Sequence, residues 1–222
     1  MPLNIAVDGP AGAGKSSIAK AVAKRLNILY LDTGAMYRAV GLACLRGNVS
    51  LEDEAAVTAK CADVKISVRH GENGQVTLLD GENVSEEIRR PEMSMAASKV
   101  ATYGGVRRMM VALQQKLTQE TDMIMDGRDI GTRVLPDATV KVFLTATAEE
   151  RAMRRFRDLQ EKNLPDTYEQ VLEDLIRRDA QDMNREVDPL RQAEDAVLVD
   201  TTHMTEDEVI DTIASIVEEK RA

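Results

Sequence analysis

Apolar residues along this chain fall into short runs that alternate with amphipathic stretches. Leu3 to Val7 is mostly apolar and β-prone, which predicts a buried parallel strand. Behind it, Ile18, Val22 and Leu26 recur every four residues with Ala19 and Ala23 beside them, one face of a helix. Ile28 to Leu31 predicts a second strand, and Met36, Val40 and Cys44 a second helical face. Further strands are predicted at Met123–Asp126, Val140–Leu144 and Ala196–Asp200, with Met109, Leu113 and Leu117 marking a helix before the first of them. Pro165-Asp166-x-x-Glu169 reads as a capping-box start for a helix carrying Val171, Leu172, Leu175 and Ile176. Thr205 and Glu208 cap a last helix with Val209, Ile213 and Val217 inward. Five strands separated by helices predict an α/β fold, a five-stranded parallel sheet wrapped by helices on both faces.

Two stretches break the alternation. Val64–Arg69 and Gln75–Leu79 are strand-like, and Glu72-Asn73-Gly74 between them signals a hairpin. This predicts a small antiparallel insertion over residues 62–97. Residues 149–164 are rich in Glu and Arg and poor in apolar side chains, so they are expected to lie outside the core.

Between the first strand and the first helix lies Gly9-Pro10-Ala11-Gly12-Ala13-Gly14-Lys15-Ser16, with Ser17 next. It satisfies every fixed position of the phosphate-binding pattern G-x-x-x-x-G-K-[ST]. The glycines let backbone N–H groups turn inward around a phosphate. Lys15 supplies a mobile point charge for the β- and γ-phosphates of a bound NTP, and the Ser16 hydroxyl is a ligand for Mg²⁺. The following helix aims its N-terminal dipole at the same anion. A loop after the first strand places the ligand at the carboxyl edge of the sheet.

With 222 residues the chain can form one large domain or a core with insertions. It has no Trp and only two Phe, so the core must be aliphatic, with eleven Met as adaptable filling. Cys44 and Cys61 lack a short metal-ligand spacing and read as reduced thiols of a cytoplasmic protein. A strand and loop beginning almost at residue 1 leave no room for a signal peptide. The longest apolar run, about Ala39 to Leu45, is far short of the ~20 residues that span a membrane. A net charge of −9 disfavours a nucleic-acid polymer as partner. Yet arginines cluster at 107–108, 128–133, 151–157 and 177–191, which suits a small phosphorylated ligand held in a pocket.

A phosphate loop alone serves switches, motors and kinases. The chain has no guanine-reading Asn-Lys-x-Asp and no Asp-x-x-Gly switch, which leaves a phosphotransferase. Such chemistry needs cations on both sides of the γ-phosphate. Asp32-Thr33-Gly34-Ala35-Met36-Tyr37-Arg38 follows the second strand and Asp126-Gly127-Arg128-Asp129 the third, both beside the loop. Arg38 and Arg128 can clasp a second phosphate, and Asp126 can hold Mg²⁺ directly or through water.

These motifs, with Asp-Gly-Arg-Asp-Ile-Gly-Thr at 126–132, Glu-Glu-Arg-Ala-x-Arg-Arg at 149–155 and Arg-Asp-x-x-Asp-x-Asn-Arg at 178–185, resemble the bacterial cytidylate kinases over essentially the whole chain. The resemblance implies a single P-loop kinase domain over 1–222. Its core would comprise 1–61, 98–148 and 165–222, the monophosphate-binding insertion 62–97, and a lid 149–164 closing over ATP. It implies that Lys15, Arg128, Arg151 and Arg155 act in catalysis and that Arg154 joins residues 9–17 in binding ATP. Arg38, Arg128 and Arg185 would bind the acceptor phosphate, Thr33, Asp129 and Arg178 the ribose side, and Ser98, Arg107 and Asp182 the cytosine. A carboxylate can accept from the cytosine N4 amino group and a guanidinium can satisfy N3 and O2, a pattern that uracil reverses. Ahead of Arg107 the chain has Gly104-Gly105 where many relatives have proline, which predicts a loosened backbone. The expected enzyme is a cytoplasmic monomer using ATP and CMP or dCMP, with Mg²⁺ as cofactor and neither a nucleic-acid polymer nor a membrane as partner. Kinases of another nucleotide or small metabolite, and a non-catalytic nucleotide-binding regulator, remain the alternatives.

Overall fold

The computed structural model describes residues 2–71, 74–119, 121–161 and 163–221. In chain order the elements are β1 (Asn4–Asp8), α1 (Lys15–Leu26), β2 (Leu29–Asp32), α2 (Thr33–Arg46), α3 (Glu54–Asp63), β3 (Ile66–Gly71), β4 (Gly74–Leu79) and β5 (Glu82–Asn83). They continue with α4 (Pro91–Val100), α5 (Gly104–Leu117), β6 (Met123–Asp126), β7 (Val140–Thr145), α6 (Ala148–Glu161), α7 (Tyr168–Asn184), β8 (Val197–Asp200) and α8 (Glu206–Arg221).

Five strands pair in parallel in the order β2-β6-β1-β7-β8. Alternation along β1 divides the core. Ile5 and Val7 join Ile18, Val22, Ile213 and Val217 of α1 and α8 on one face. Ala6 turns the other way, where Leu31 and Met125 meet Met36, Val40 and Val106 of α2 and α5. This is the period-2 pattern of a sheet covered on both sides. The carboxyl ends of β1, β2 and β6 carry Asp8, Asp32 and Asp126, so three carboxylates open onto one sheet edge.

The hairpin sequence forms a three-stranded antiparallel sheet, β3-β4-β5, with Ile66 opposite Leu79 and Arg69 opposite Val76. Glu72 and Asn73 of the expected turn lie outside the described residues. α4 crosses the boundary expected at residue 97 and packs along α2, where Ala96 sits so close to Gly41 that a Cβ there would collide with it. Gln75 fastens the small sheet to the large one. Its side-chain carbonyl accepts from the Asp32 N–H at 2.7 Å and its amide donates to the Asp32 carbonyl at 3.2 Å. One side chain thereby occupies both backbone groups at the open edge of β2.

Three expectations need correction. The capping box of α7 is Thr167 with Gln170, one residue later than Asp166 with Glu169, because the Thr hydroxyl accepts from the Gln170 N–H and the Gln side chain answers the Thr167 N–H. The 149–164 stretch is not outside the core. Ala152 and Leu159 of α6 pack with Val171 and Leu175 of α7 and with Ala11 of the phosphate loop. Its long polar side chains hide a narrow apolar stripe that suffices against one partner helix. Nor is the backbone loose at Gly104-Gly105. α5 begins there, and a Cβ on Gly105 would meet the Thr58 side chain, so glycine is required for close approach to α3. Among the described residues no helix is long and apolar enough to cross a membrane.

Gln75→Ala leaves the Asp32 N–H and C=O without partners and is expected to lower unfolding stability by about 1–3 kcal/mol. Denaturant unfolding checks this, and a midpoint unchanged from wild type would contradict the role given to Gln75.

Candidate active site

The phosphate loop is shaped by close packing and pinned from three sides. Gly9 has φ 148°, and a Cβ there would run into the Leu144 carbonyl of β7, so only glycine lets the chain leave β1 at this point. At the root, both Asp8 carboxylate oxygens accept backbone N–H groups, from Ile130 and Gly131, each at 2.7 Å. Burial pushes Asp8 up to about 6 against the pull of those two donors. Midway, the Ala11 N–H donates to Asp179 at 3.2 Å while the Ala11 carbonyl accepts from Arg151 at 2.7 Å. Arg151 and Asp179 are themselves paired at 2.7 Å. Lys15 folds back so that its ammonium donates to the Pro10 carbonyl at 2.6 Å. Burial, with Arg128 close by, pushes Lys15 down to about 7.

Arg151 therefore stands elsewhere than expected. Its Nε donates to the Ala146 carbonyl, its Nη1 holds the phosphate loop, and it does not line the crevice. It clamps the loop from α6 instead of reaching toward a transferring phosphate.

Ser16 and Asp126 lie side by side, the hydroxyl donating to one carboxylate oxygen at 2.6 Å. The other oxygen accepts from the Tyr30 hydroxyl at 2.8 Å. Burial and the nearby Asp32 raise Asp126 above the ordinary carboxylate range. One carboxylate and one hydroxyl form a hard oxygen donor set that fits Mg²⁺, which keeps several waters and takes its other ligands from phosphates. Among the described residues there is no cluster of three or more His, Cys, Asp or Glu side chains that would hold a metal unaided.

The crevice beside the loop encloses about 650 Å³ and is lined by Arg38, Arg107, Arg128, Arg178 and Arg185, with Lys15 and Ser16 at its floor. α2 supplies Arg38 and caps itself on Asp32, whose second oxygen pairs with Arg38 at 2.7 Å. α7 supplies Arg178 and Asp182 on one face, and Arg185 terminates it. Arg128 donates through Nε to Asp182 at 2.7 Å. Burial alone would raise Asp182, but Arg128 beside it holds the carboxyl below its usual range. Arg107 is 1% exposed and paired with Asp129 and, at 3.0 Å, with Asp188. Asp129 also takes Arg185 at 3.1 Å. Thr33 donates its hydroxyl to the Asp126 carbonyl. Three buried groups at the crevice have no hydrogen-bond partner among the described residues: Arg38 Nε, Arg178 Nε and Ser98 Oγ.

The structure thus gathers nearly every acceptor-side residue singled out in the sequence. It pairs them differently from a direct reading, with Asp182 on Arg128 and Arg107 on Asp129 and Asp188. On the far side of the loop, Arg154 donates to the Thr201 carbonyl at 2.6 Å and to the Thr201 hydroxyl at 3.0 Å, while Arg155 lines the crevice and enters no ion pair among the described residues. Sequence reasoning missed Asp8, Tyr30, Asp179 and Asp188. Asp179 lay within a quoted motif and could have been found. For the other three, nothing in spacing or periodicity announces a partner more than eighty residues away.

The family model described as cytidylate kinase matches residues 5–219. A curated cytidylate kinase from Caldicellulosiruptor saccharolyticus is 49% identical over 96% of this chain and 95% of its own. One from Bacillus velezensis is 50% identical over 98% of this chain and 97% of its own. Among solved structures, an uncharacterized protein from Eubacterium ventriosum aligns over 99% of both chains with a TM-score of 0.53 at 11% identity, a likeness of fold alone. With near-complete coverage at about half identity on top of the site's geometry, the chain belongs to the cytidylate kinase family.

Proposed function

We propose that this chain transfers the γ-phosphate of ATP to CMP, and to dCMP, giving the nucleoside diphosphate and ADP. The observation that carries this reading is the convergence of Lys15, Ser16 and seven arginines on one crevice of about 650 Å³. A triphosphate lies on the N–H groups of the loop with Lys15 at its β- and γ-phosphates. The monophosphate lies against Arg38, Arg128 and Arg185.

An oxygen of the acceptor phosphate attacks the γ-phosphorus, a new P–O bond forms, and the bond to the β–γ bridging oxygen breaks, leaving the electron pair on ADP. A phosphate monoester is already largely ionised at neutral pH, its second pKa being about 6, so no side chain need take a proton. The residues align two anions and neutralise charge that would otherwise keep them apart. Ser16 and Asp126 would hold Mg²⁺, which supplies further neutralisation at the transferring phosphate. Tyr30 fixes the free end of the Asp126 carboxylate.

Two of these arginines are already paired with carboxylates. Asp32 holds Arg38, and Asp182 holds Arg128. An incoming phosphate takes over these guanidinium groups and releases Asp182 to meet the exocyclic amine of cytosine. Arg178 and Thr33 lie at the ribose side, with Ser98 and Arg107 toward the base. Arg154 and Arg155 lie on α6 over the donor side, and the segment 149–164 acts as the lid that excludes water when both substrates are in place.

A coupled assay across CMP, dCMP, UMP, AMP and shikimate tests the assignment. Turnover is expected to be fastest with CMP or dCMP. Fastest turnover with AMP would contradict the cytosine reading, and tight ATP binding without transfer to any acceptor would favour a regulatory protein.

Lys15 generates a pH dependence. In the free protein it loses its proton at about 7, whereas polyphosphate raises its affinity for that proton. The complex therefore binds more protons than the free protein above pH 7, so ATP binding takes up protons there and weakens as pH rises. At pH 8 the uptake is on the order of 0.9 proton per ATP. Calorimetry in two buffers of different ionisation enthalpy measures it, and zero uptake would contradict the depressed ammonium.

A further inference from the structure

Asp188, in the turn after α7, touches both arginines that flank the acceptor nucleotide in the reading above. Its carboxylate accepts from Arg107 Nε at 3.0 Å, and its backbone carbonyl accepts from Arg185 Nε at 2.6 Å. Asp129 closes the ring from the other end, accepting from the Nη2 groups of the same two guanidiniums. Two cations and two carboxylates thus form a closed, neutral cycle, clamped at Nε by Asp188 and at Nη by Asp129. With Nε taken, the plane of each guanidinium is set, and the remaining N–H groups point along directions that neither arginine chooses alone.

The backbone at Asp188 adopts a conformation that few side chains favour. Its φ is 47°, in the left-handed region, and Pro189 follows. Glycine adopts this conformation freely, and a residue before proline is pushed away from helical angles. Aspartate tolerates this region better than most side chains and less well than glycine. The turn is nonetheless held, since Leu190 is buried and its N–H donates to the Asp182 carbonyl at 2.9 Å. Arg133, largely exposed, stands 3.6 Å from the second Asp188 oxygen and adds an outer cation.

We infer that Asp188 is a positioning residue for both Arg107 and Arg185, holding the first through its carboxylate and the second through its backbone carbonyl, so that reading of the acceptor base depends on its side chain and the setting of Arg185 on its turn. The inference rests on CMP as acceptor and deepens that reading. Loss of the carboxylate frees Arg107 Nε to turn toward Asp129 or the crevice, which loosens base reading, while the donor side is untouched.

Asp188→Gly removes the carboxylate hold on Arg107, keeps the backbone carbonyl that accepts from Arg185 and relieves the backbone, so it is expected to fold. It is expected to raise the CMP KM, and to lower the CMP-over-UMP ratio of kcat/KM, by about tenfold or more, the scale of one unpaired buried hydrogen-bonding group. The ATP KM is expected to change by less than about twofold, because no Asp188 contact reaches the phosphate loop. Asp188→Asn, which keeps an acceptor oxygen and tolerates positive φ, is expected to recover much of the selectivity. A purely structural role would move both KM values together and leave the base ratio unchanged. That outcome, or an Asp188→Gly variant with wild-type CMP KM and base ratio, overturns the proposal. A wild-type enzyme indifferent to the acceptor base fails the functional reading itself, a result visible before any variant is made.

Discussion

Like charges brought into a crevice of low dielectric repel one another, and this protein packs seven guanidinium groups and an ammonium around one cavity. The architecture is arranged to make that tolerable. Four of the inward arginines pair closely with a carboxylate, Arg38 with Asp32, Arg128 with Asp182, and Arg107 and Arg185 with Asp129, while Arg178 has only Asp174 at 4.0 Å. The carboxylates come from the ends of strands and from α7, elements whose positions the core fixes. Cations are thereby held in place and available to an anion that offers more than a single carboxylate can. Dianionic phosphate does so, through three strong acceptor oxygens. On the proposed reading, binding is an exchange of partners for Arg38 and Arg128, which limits the cost of burying their charge.

Rigidity on the donor side has a different origin. The phosphate loop is held by backbone geometry at Gly9 and by a relay from Ala11 to Asp179 and Arg151. Because Arg151 belongs to α6 and Asp179 to α7, movement of the helical pair cannot leave the loop unaffected. Apolar packing of Ala152, Leu159, Val171 and Leu175 ties the same pair together. α6 is therefore partly a wall of the donor site, with Arg154 and Arg155 on its crevice side. The acceptor side has its own anchor in Gln75, through which the small antiparallel sheet grips the strand end that carries Asp32.

Much of this was legible in the sequence, and what was not has a physical reason. The parallel strands and the helices after the loop could be read because each buries a face of fixed period, as Ile18, Val22 and Leu26 do. The residues that line the crevice could be singled out because many of them sit in short motifs, at strand ends and along α7. α3 and α4 were not read, since Glu54–Asp63 and Pro91–Val100 present only a few buried side chains each. The buried stripe of α6 was hidden by arginines whose stems cover it. Pairing was the least legible. Arg107 was expected at the base, yet Asp188 and Asp129 approach it from turns far along the chain, and only the assembled sheet edge brings them within reach. The two glycines before Arg107 were misread as slack because the side chain that demands one of them, Thr58, lies on another helix.

The central claim is that donor and acceptor polyanions occupy one continuous crevice and share its cations. Calorimetric titration with a dinucleoside pentaphosphate, adenosine and cytidine joined through five phosphates, tests it most directly. Linking both ligands makes the second contact intramolecular, so the compound is expected to bind at least about 100-fold more tightly than ATP or CMP alone, with one molecule per chain. Binding no tighter than ATP, or two molecules bound per chain, would contradict a shared crevice.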